Sequence, residues 1–483
     1  MSFRKSLRGL ITMKAALIAA MAIAGELGHR PNFLIILADD VSPEQFGCYG
    51  NTETKTPNVD ALAHGGVQFN TAWATPMCSS TRALLVTGRY ASTTGVWHND
   101  LRITNGKHGR WDWAKAHLTF AQVLRANGYR TALAGNIMAL GSGIRSDDVG
   151  FDEHCFHALT LRDVPEGSTF DGLFEGKYNF PDAKPVPSRY WHPCVIQNGV
   201  LMDTGPDDFG PDLYSDFLID FMSRHRDQPF LAYYPMKLIH GIAGTGLPTT
   251  PVRGRPGTNT GGNLKDLNEY VDVMVGKLVK ALDELDLRDS TIVIFASDNG
   301  DSHGCKMHAT EDGPRVPFIV NCPDIIMRRG ATSELMDFSD VFPTLVEFSK
   351  SCLPDGYTVD GKSMVPFLTG ESDTHRDWIV SYIATARLAR TRDWLLEASD
   401  PVYGTAMGRL YYTGNAHLRE NYRPVDSSEA APIREMFDEI LKNLPWPDKS
   451  DPSVAREIQN YDNMPYKHFL DKGKLVRKIS PSK

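Results

Sequence analysis

Two continuous apolar runs, each closing on acidic or amide side chains, most constrain what this chain of 483 residues can fold into. The first is Asn32-Phe-Leu-Ile-Ile-Leu-Ala38, followed by Asp39-Asp40; the second is Thr291-Ile-Val-Ile-Phe-Ala-Ser297, followed by Asp298-Asn299-Gly300. Neither alternates polar with apolar, so each reads as a strand buried on both faces, the kind found in parallel sheets. Pro229-Phe-Leu-Ala-Tyr-Tyr234, Val316-Pro-Phe-Ile-Val320 and residues 129–133 are further strand candidates.

Helical patterns interleave with these runs. Asn263 is placed to cap a long helix in which Leu264, Leu267, Val271, Val275, Leu278, Leu282 and Leu285 recur at spacings of three and four. Residues 212–224 and 118–127 read as two more, the latter closed by Gly128. Strand and helix in alternation predict an α/β domain with a large, mostly parallel sheet flanked by helices, over residues 30–370. In such sheets ligands gather at the carboxyl ends of strands, where both acidic clusters lie. From about residue 371 short apolar pieces and one amphipathic helix near 432–444 predict a smaller C-terminal antiparallel-sheet subdomain, to 483.

Net charge is −8, so no basic field attracts nucleic acid, and an anionic substrate has to be held by local cations. Residues 1–24 carry Arg4, Lys5, Arg8 and Lys14, a short apolar stretch and Ala22-Ile-Ala24, the pattern of a cleavable secretory signal. An uncleaved anchor or a mis-assigned start is the alternative. The run is too short for a stable membrane span, which favours an exported, periplasmic or extracellular protein. None of the seven cysteines forms a C-x-x-C pair; setting Cys78 aside, six could pair in an oxidising compartment or stay as small buried residues.

Asp39, Asp40, Asp298 and Asn299 offer hard oxygen ligands that suit Ca²⁺, or Mg²⁺, rather than zinc. Between them in sequence lies Thr75-Pro-Met-Cys-Ser-Ser-Thr-Arg82, then an apolar run to Thr87-Gly-Arg89. Residues 79–85 should begin a helix, whose first N–H groups and dipole favour an anion beside Cys78, with Arg82 one turn on. Spacing alone favours the plainer reading, a buried structural cysteine with a surface arginine.

The segment around Cys78 resembles the nucleophile motif of type I sulfatases, Cys-x-Pro/Ala-x-Arg, within the alkaline phosphatase-like superfamily. Arg30 to Asp40, Thr56-Pro-Asn-Val-Asp60, Tyr129 to Gly135, Gly150-Phe-Asp152, Ser297 to Gly300, Arg315-Val-Pro317 and Asp340-Val-Phe-Pro-Thr-Leu345 follow in the order of that family. The resemblance implies a sulfuric ester hydrolase, with Cys78 converted to formylglycine by a formylglycine-generating maturation enzyme. The hydrated aldehyde would attack the sulfur of a sulfated small molecule or glycan beside a Ca²⁺ on Asp39, Asp40, Asp298, Asn299 and residue 78. Arg82 would hold the nucleophile, while His240 and Lys306 would bind sulfate and assist the leaving group.

The chain departs from that pattern at three positions. Ser80 stands where Pro or Ala is expected, and Asn136 and Met138 replace a lysine and a histidine. Polar groups that could take their place are His98, counted as a substrate-binding candidate, and Lys237, His303 and His308, all expected in surface loops. Two readings therefore compete: a working sulfatase, with a sulfated carbohydrate as the substrate class, and a catalytically impaired relative that binds sulfated glycans. Hydrolysis of a phosphate dianion would demand more cations than this site shows.

Overall fold

The computed structural model describes residues 30–462, apart from 100–102, 104–115, 137–145, 177–183, 242–245, 253, 256, 401–406, 415, 417–420, 427–428 and 449. The segment 1–24, read as a signal, and Met138 lie outside the described residues.

The first apolar run forms β1, Asn32–Ala38, and every residue of it is buried. Alternation is hidden in it: Phe33, Ile35 and Leu37 enter one core, while Leu34, Ile36 and Ala38 enter a second core on the opposite face. Because both faces need apolar side chains, the strand reads as an unbroken hydrophobic word. The remaining strands of this sheet are β2 (Val67–Trp73), β3 (Arg130–Gly135), β4 (Glu153–His157), β5 (Val195–Gln197), β6 (Val200–Leu201), β7 (Phe230–Pro235), β8 (Thr291–Ser297), β9 (Arg315–Val316), β10 (Phe318–Asn321) and β11 (Gly330–Asp337). Their order is β11-β2-β10-β8-β1-β7-β3-β4-β5-β6, with β9 on β2.

The central block β8-β1-β7-β3-β4 is parallel, and β10 and β5 pair antiparallel on either side of it. The sheet is therefore mixed around a parallel centre. Pro317 divides the expected strand 316–320 into β9 and β10, since proline supplies no N–H to the ladder. The long helix runs Leu264–Glu284, with the Asn263 side chain accepting from the Asp266 N–H. It clamps the helix Pro57–His64 through Asp272, which accepts from the N–H groups of Asn58 and Val59 at 2.9 and 2.8 Å. The helix expected over 118–127 spans Phe120–Ala126, because the Thr119 capping box fixes its start.

A separate antiparallel sheet follows: β12 (Trp378–Ile383), β13 (Ala386–Thr391), β14 (Trp394–Ser399), β15 (Arg409–Tyr412) and β16 (Arg423–Pro424). It docks on the segments flanking the helix Cys78–Thr87. Ser381 Oγ donates to the carbonyl of Ala74, and the Ala384 N–H donates to that of Trp97. All seven cysteines are free thiols. No helix among the described residues is long and apolar enough to cross a membrane.

Candidate active site

Four neighbouring parallel strands, β8, β1, β7 and β3, deliver their carboxyl ends to one place. Ala38 pairs with Ser297 and Leu37 with Pro235, so the residues just beyond them are brought side by side. Backbone bonds lace the ends together: Asp39 N–H to Leu238 O, Ile239 N–H to Asp39 O, and Asn136 N–H to Pro235 O, each 2.7 Å. Asp40 sits at a φ of 66°, and its N–H donates to Asp298 Oδ1 at 3.2 Å. Such left-handed backbone is disfavoured for a residue with a Cβ and persists only where neighbours hold it.

The side chains form one buried cluster. Arg82 donates from Nε and Nη2 to Asp298 Oδ2 at 2.9 and 2.6 Å, and from Nη2 to Asp39 Oδ2 at 3.1 Å. Asn136 Nδ2 and Lys237 Nζ reach the same Asp39 oxygen at 3.1 and 3.3 Å. Asn299 Nδ2 donates to Asp40 Oδ1 at 2.8 Å, and Lys306 forms an ion pair with that oxygen. Asp39, Asp40 and His240 each present a ligand atom within 4.8 Å of the others. Asp39, Asp40, Asp298, Asn299, Arg82, His240 and Lys306 thus lie in one cluster.

Its electrostatics are those of crowded carboxylates. Burial opposes ionisation of Asp39, but the cations Lys237, Arg82 and Lys306 hold its pKa well below the usual carboxylate range. Burial and the charge of Asp39 push Asp298 up to about 7 despite Arg82. Asp40 is raised likewise, by burial and by Asp39, against the pull of Lys306. Burial keeps His240 neutral, with Lys237 adding to the effect.

Two oxygens of the set, Asp39 Oδ1 and Asn299 Oδ1, are buried with no hydrogen-bond partner. Orphaned buried acceptors are rare and costly, and hard oxygens of this kind suit a divalent cation. The donor set thus fits Ca²⁺ or Mg²⁺ by its own chemistry.

Cys78 is the first residue of the helix Cys78–Thr87. It lies within electrostatic reach of both Arg82 and Lys306. Asn99, which the sequence reading missed, approaches the Cys78 sulfur with Nδ2 at 3.6 Å and accepts from the Ser79 N–H at 3.3 Å. Ser80 is fully buried, its Oγ donating to Met77 O at 3.0 Å and lying 2.7 Å from Thr75 Oγ1. A hydroxyl at this position ties the helix start to the turn before it.

The expected loop groups separate. His303 is exposed and His308 half-buried, but Lys237 and His98 are 3% and 1% exposed, so neither is loop surface. Sequence reasoning placed Lys237 in a loop because Met236 to His240 carries no helical or strand period. Asn136, which brings no charge where the family pattern has a lysine, still contacts Asp39 through its side-chain amide.

A model of the sulfatase family matches residues 31–350. The chain belongs to the sulfatase family. This sulfatase is 30% identical to arylsulfatase A of Bos taurus over 78% of its own length and 75% of that protein. It is 27% identical to an N-acetylgalactosamine-6-O-sulfatase of Bacteroides thetaiotaomicron over 87% and 93% of the two chains. A sulfatase structure from Pseudoalteromonas sp. superposes with a TM-score of 0.63 at 20% identity, covering 90% of this chain and 95% of that one. The family makes this sulfatase a sulfuric ester hydrolase.

Proposed function

We propose that this sulfatase is exported and removes sulfate from a sulfated carbohydrate, using a Ca²⁺ site and a formylglycine made from Cys78. One observation carries the reading. The orphaned oxygens Asp39 Oδ1 and Asn299 Oδ1 belong to the same buried cluster as Arg82, on the helix that begins at Cys78. Asp39, Asp40, Asp298 and Asn299 would hold the ion. Together the ion and the formylglycine supply a charge-stabilised oxygen nucleophile for sulfur.

The chain's own residues account for the rest. Arg82 fixes the two carboxylates with Nε and Nη2, while its Nη1 is buried without a partner and can hold the nucleophilic oxygen. Lys306, paired with Asp40 and slightly exposed, would meet a sulfuryl oxygen. His240 donates from Nδ1 to Gly241 O at 2.8 Å, leaving Nε2 to take up a proton and return it to the departing alkoxide. A carbohydrate ester is favoured because the Bacteroides relative, named for a sugar sulfate, aligns over nearly its whole length.

The test is release of inorganic sulfate from N-acetylgalactosamine 6-sulfate and from an aryl sulfate, by protein co-expressed with a competent maturation enzyme. Mass spectrometry of the Cys78 peptide accompanies it. Formylglycine together with Ca²⁺-dependent release is the expected result. An unmodified Cys78 and no release, with the maturation enzyme verified on a control substrate, would contradict the proposal.

A further inference from the structure

We propose that Lys237 is a sulfate-binding cation of this site, supplying from just beyond β7 the charge missing at position 136, just beyond β3. The inference rests on the sulfatase reading above and adds a residue to it. β3 and β7 pair in parallel register from Arg130 with Phe230 to Leu133 with Tyr233, so their exits are neighbours. The Asn136 N–H donates to Pro235 O at 2.7 Å, and the side chains of Asn136 and Lys237 converge on Asp39 Oδ2. A group at the end of either strand therefore reaches the same point.

Three donors crowd that single oxygen, and Lys237 is the farthest at 3.3 Å. A carboxylate oxygen has two lone pairs, so the third donor is surplus. Arg82 also holds Asp298, whereas among the described residues Asp39 is the sole side chain that Lys237 Nζ bonds. A buried ammonium with unspent protons requires another acceptor close by.

Its backbone is held firmly enough to aim it. The Tyr190 hydroxyl donates to the carbonyls of Lys237 and His240 at 2.8 and 2.6 Å, and the Met236 N–H donates to Leu37 O at 2.8 Å. Charge balance points the same way. A bound divalent cation favours the ionised form of all three carboxylates, and with Lys237 included, Arg82, Lys237 and Lys306 then match Asp39, Asp40 and Asp298 in charge. A divalent cation then leaves two positive charges, the complement of a sulfate dianion.

Calorimetry of inorganic sulfate binding to Ca²⁺-loaded protein with unmodified Cys78 tests this without turnover. Lys237→Gln keeps a donor for Asp39 and removes only the charge; it should weaken sulfate about tenfold or more while leaving Ca²⁺ affinity no weaker. Adding Asn136→Lys to Lys237→Gln should restore most of the lost sulfate affinity. Unchanged sulfate affinity in the single variant overturns the proposal. Loss of Ca²⁺ binding or folding that the double variant does not repair also overturns it, assigning Lys237 to holding Asp39. If the parent protein binds Ca²⁺ but no sulfate, the proposed reading of this cluster as the sulfate site fails first and the role of Lys237 falls with it.

Discussion

Arg82 bonds two carboxylates that are themselves buried, so its removal strips Asp298 of its ion-pair partner and leaves Asp39 with Lys237 alone. Truncating one partner of such a pair costs about 3–5 kcal/mol. Arg82→Met should lower the urea midpoint at neutral pH by a corresponding amount. Arg82→Lys should recover only part of it, because an ammonium cannot span Asp298 and Asp39 as the guanidinium fork does. Equal stability of Arg82→Met and wild type would show that the pairing contributes nothing. The residue scale is also where the sequence was hardest to read. Asp39, Asp40, Asp298 and Asn299 stand at strand ends and announce themselves by type. Asn99 and Lys237 reach the cluster through irregular segments, where no periodicity states which way a side chain points.

At the scale of elements, Asp272 joins two helices and titrates in a useful range. Burial lifts its pKa to about 6, although Asn58 and Val59 donate to it. A carboxyl whose folded pKa exceeds its unfolded one stabilises fully below the unfolded value, and the contribution is lost as pH rises through the folded value. Between about pH 4 and pH 6 this group should therefore withdraw stability, by up to about 3 kcal/mol. Asp272→Asn mimics the protonated form, with Oδ1 still able to accept from both backbone N–H groups. Its unfolding free energy should fall less than that of wild type across that interval in urea titrations. Parallel pH profiles for the two proteins would refute this. The helix pair itself was legible, since an Asn cap and a spacing of three and four mark Leu264–Glu284 plainly. The antiparallel flanks of the large sheet were not, because an apolar word such as Phe-Ile-Val fits either strand direction equally well.

On the scale of the whole molecule, the two sheets are joined by buried charge. Arg376 pairs with Asp340 and lies 3.9 Å from Asp337, and His375 Nε2 lies 2.9 Å from Asp340 Oδ2. Burial opposes ionisation of Asp340, yet Arg376 and then His375 outweigh it and hold its pKa below the ordinary value. Arg376→Ala should destabilise by about 3–5 kcal/mol. Limited proteolysis should then cut first within 371–462, ahead of the large sheet. Cleavage spread evenly over both sheets would argue against a junction at this network.

The central claim is that the ends of β1 and β8 make one divalent-cation site at the start of the helix Cys78–Thr87. Calorimetric titration of Ca²⁺ into the purified, chelator-treated protein tests it most directly, with the Asn299→Ala and Asp40→Asn variants beside it. The account predicts a single saturable site in the wild type, clearly weakened in both variants. It also predicts that Ca²⁺ at a hundredfold excess over its Kd stabilises the fold by about 2.7 kcal/mol. A wild-type protein that takes up no Ca²⁺ or Mg²⁺, or variants that bind as tightly as the parent, would contradict it.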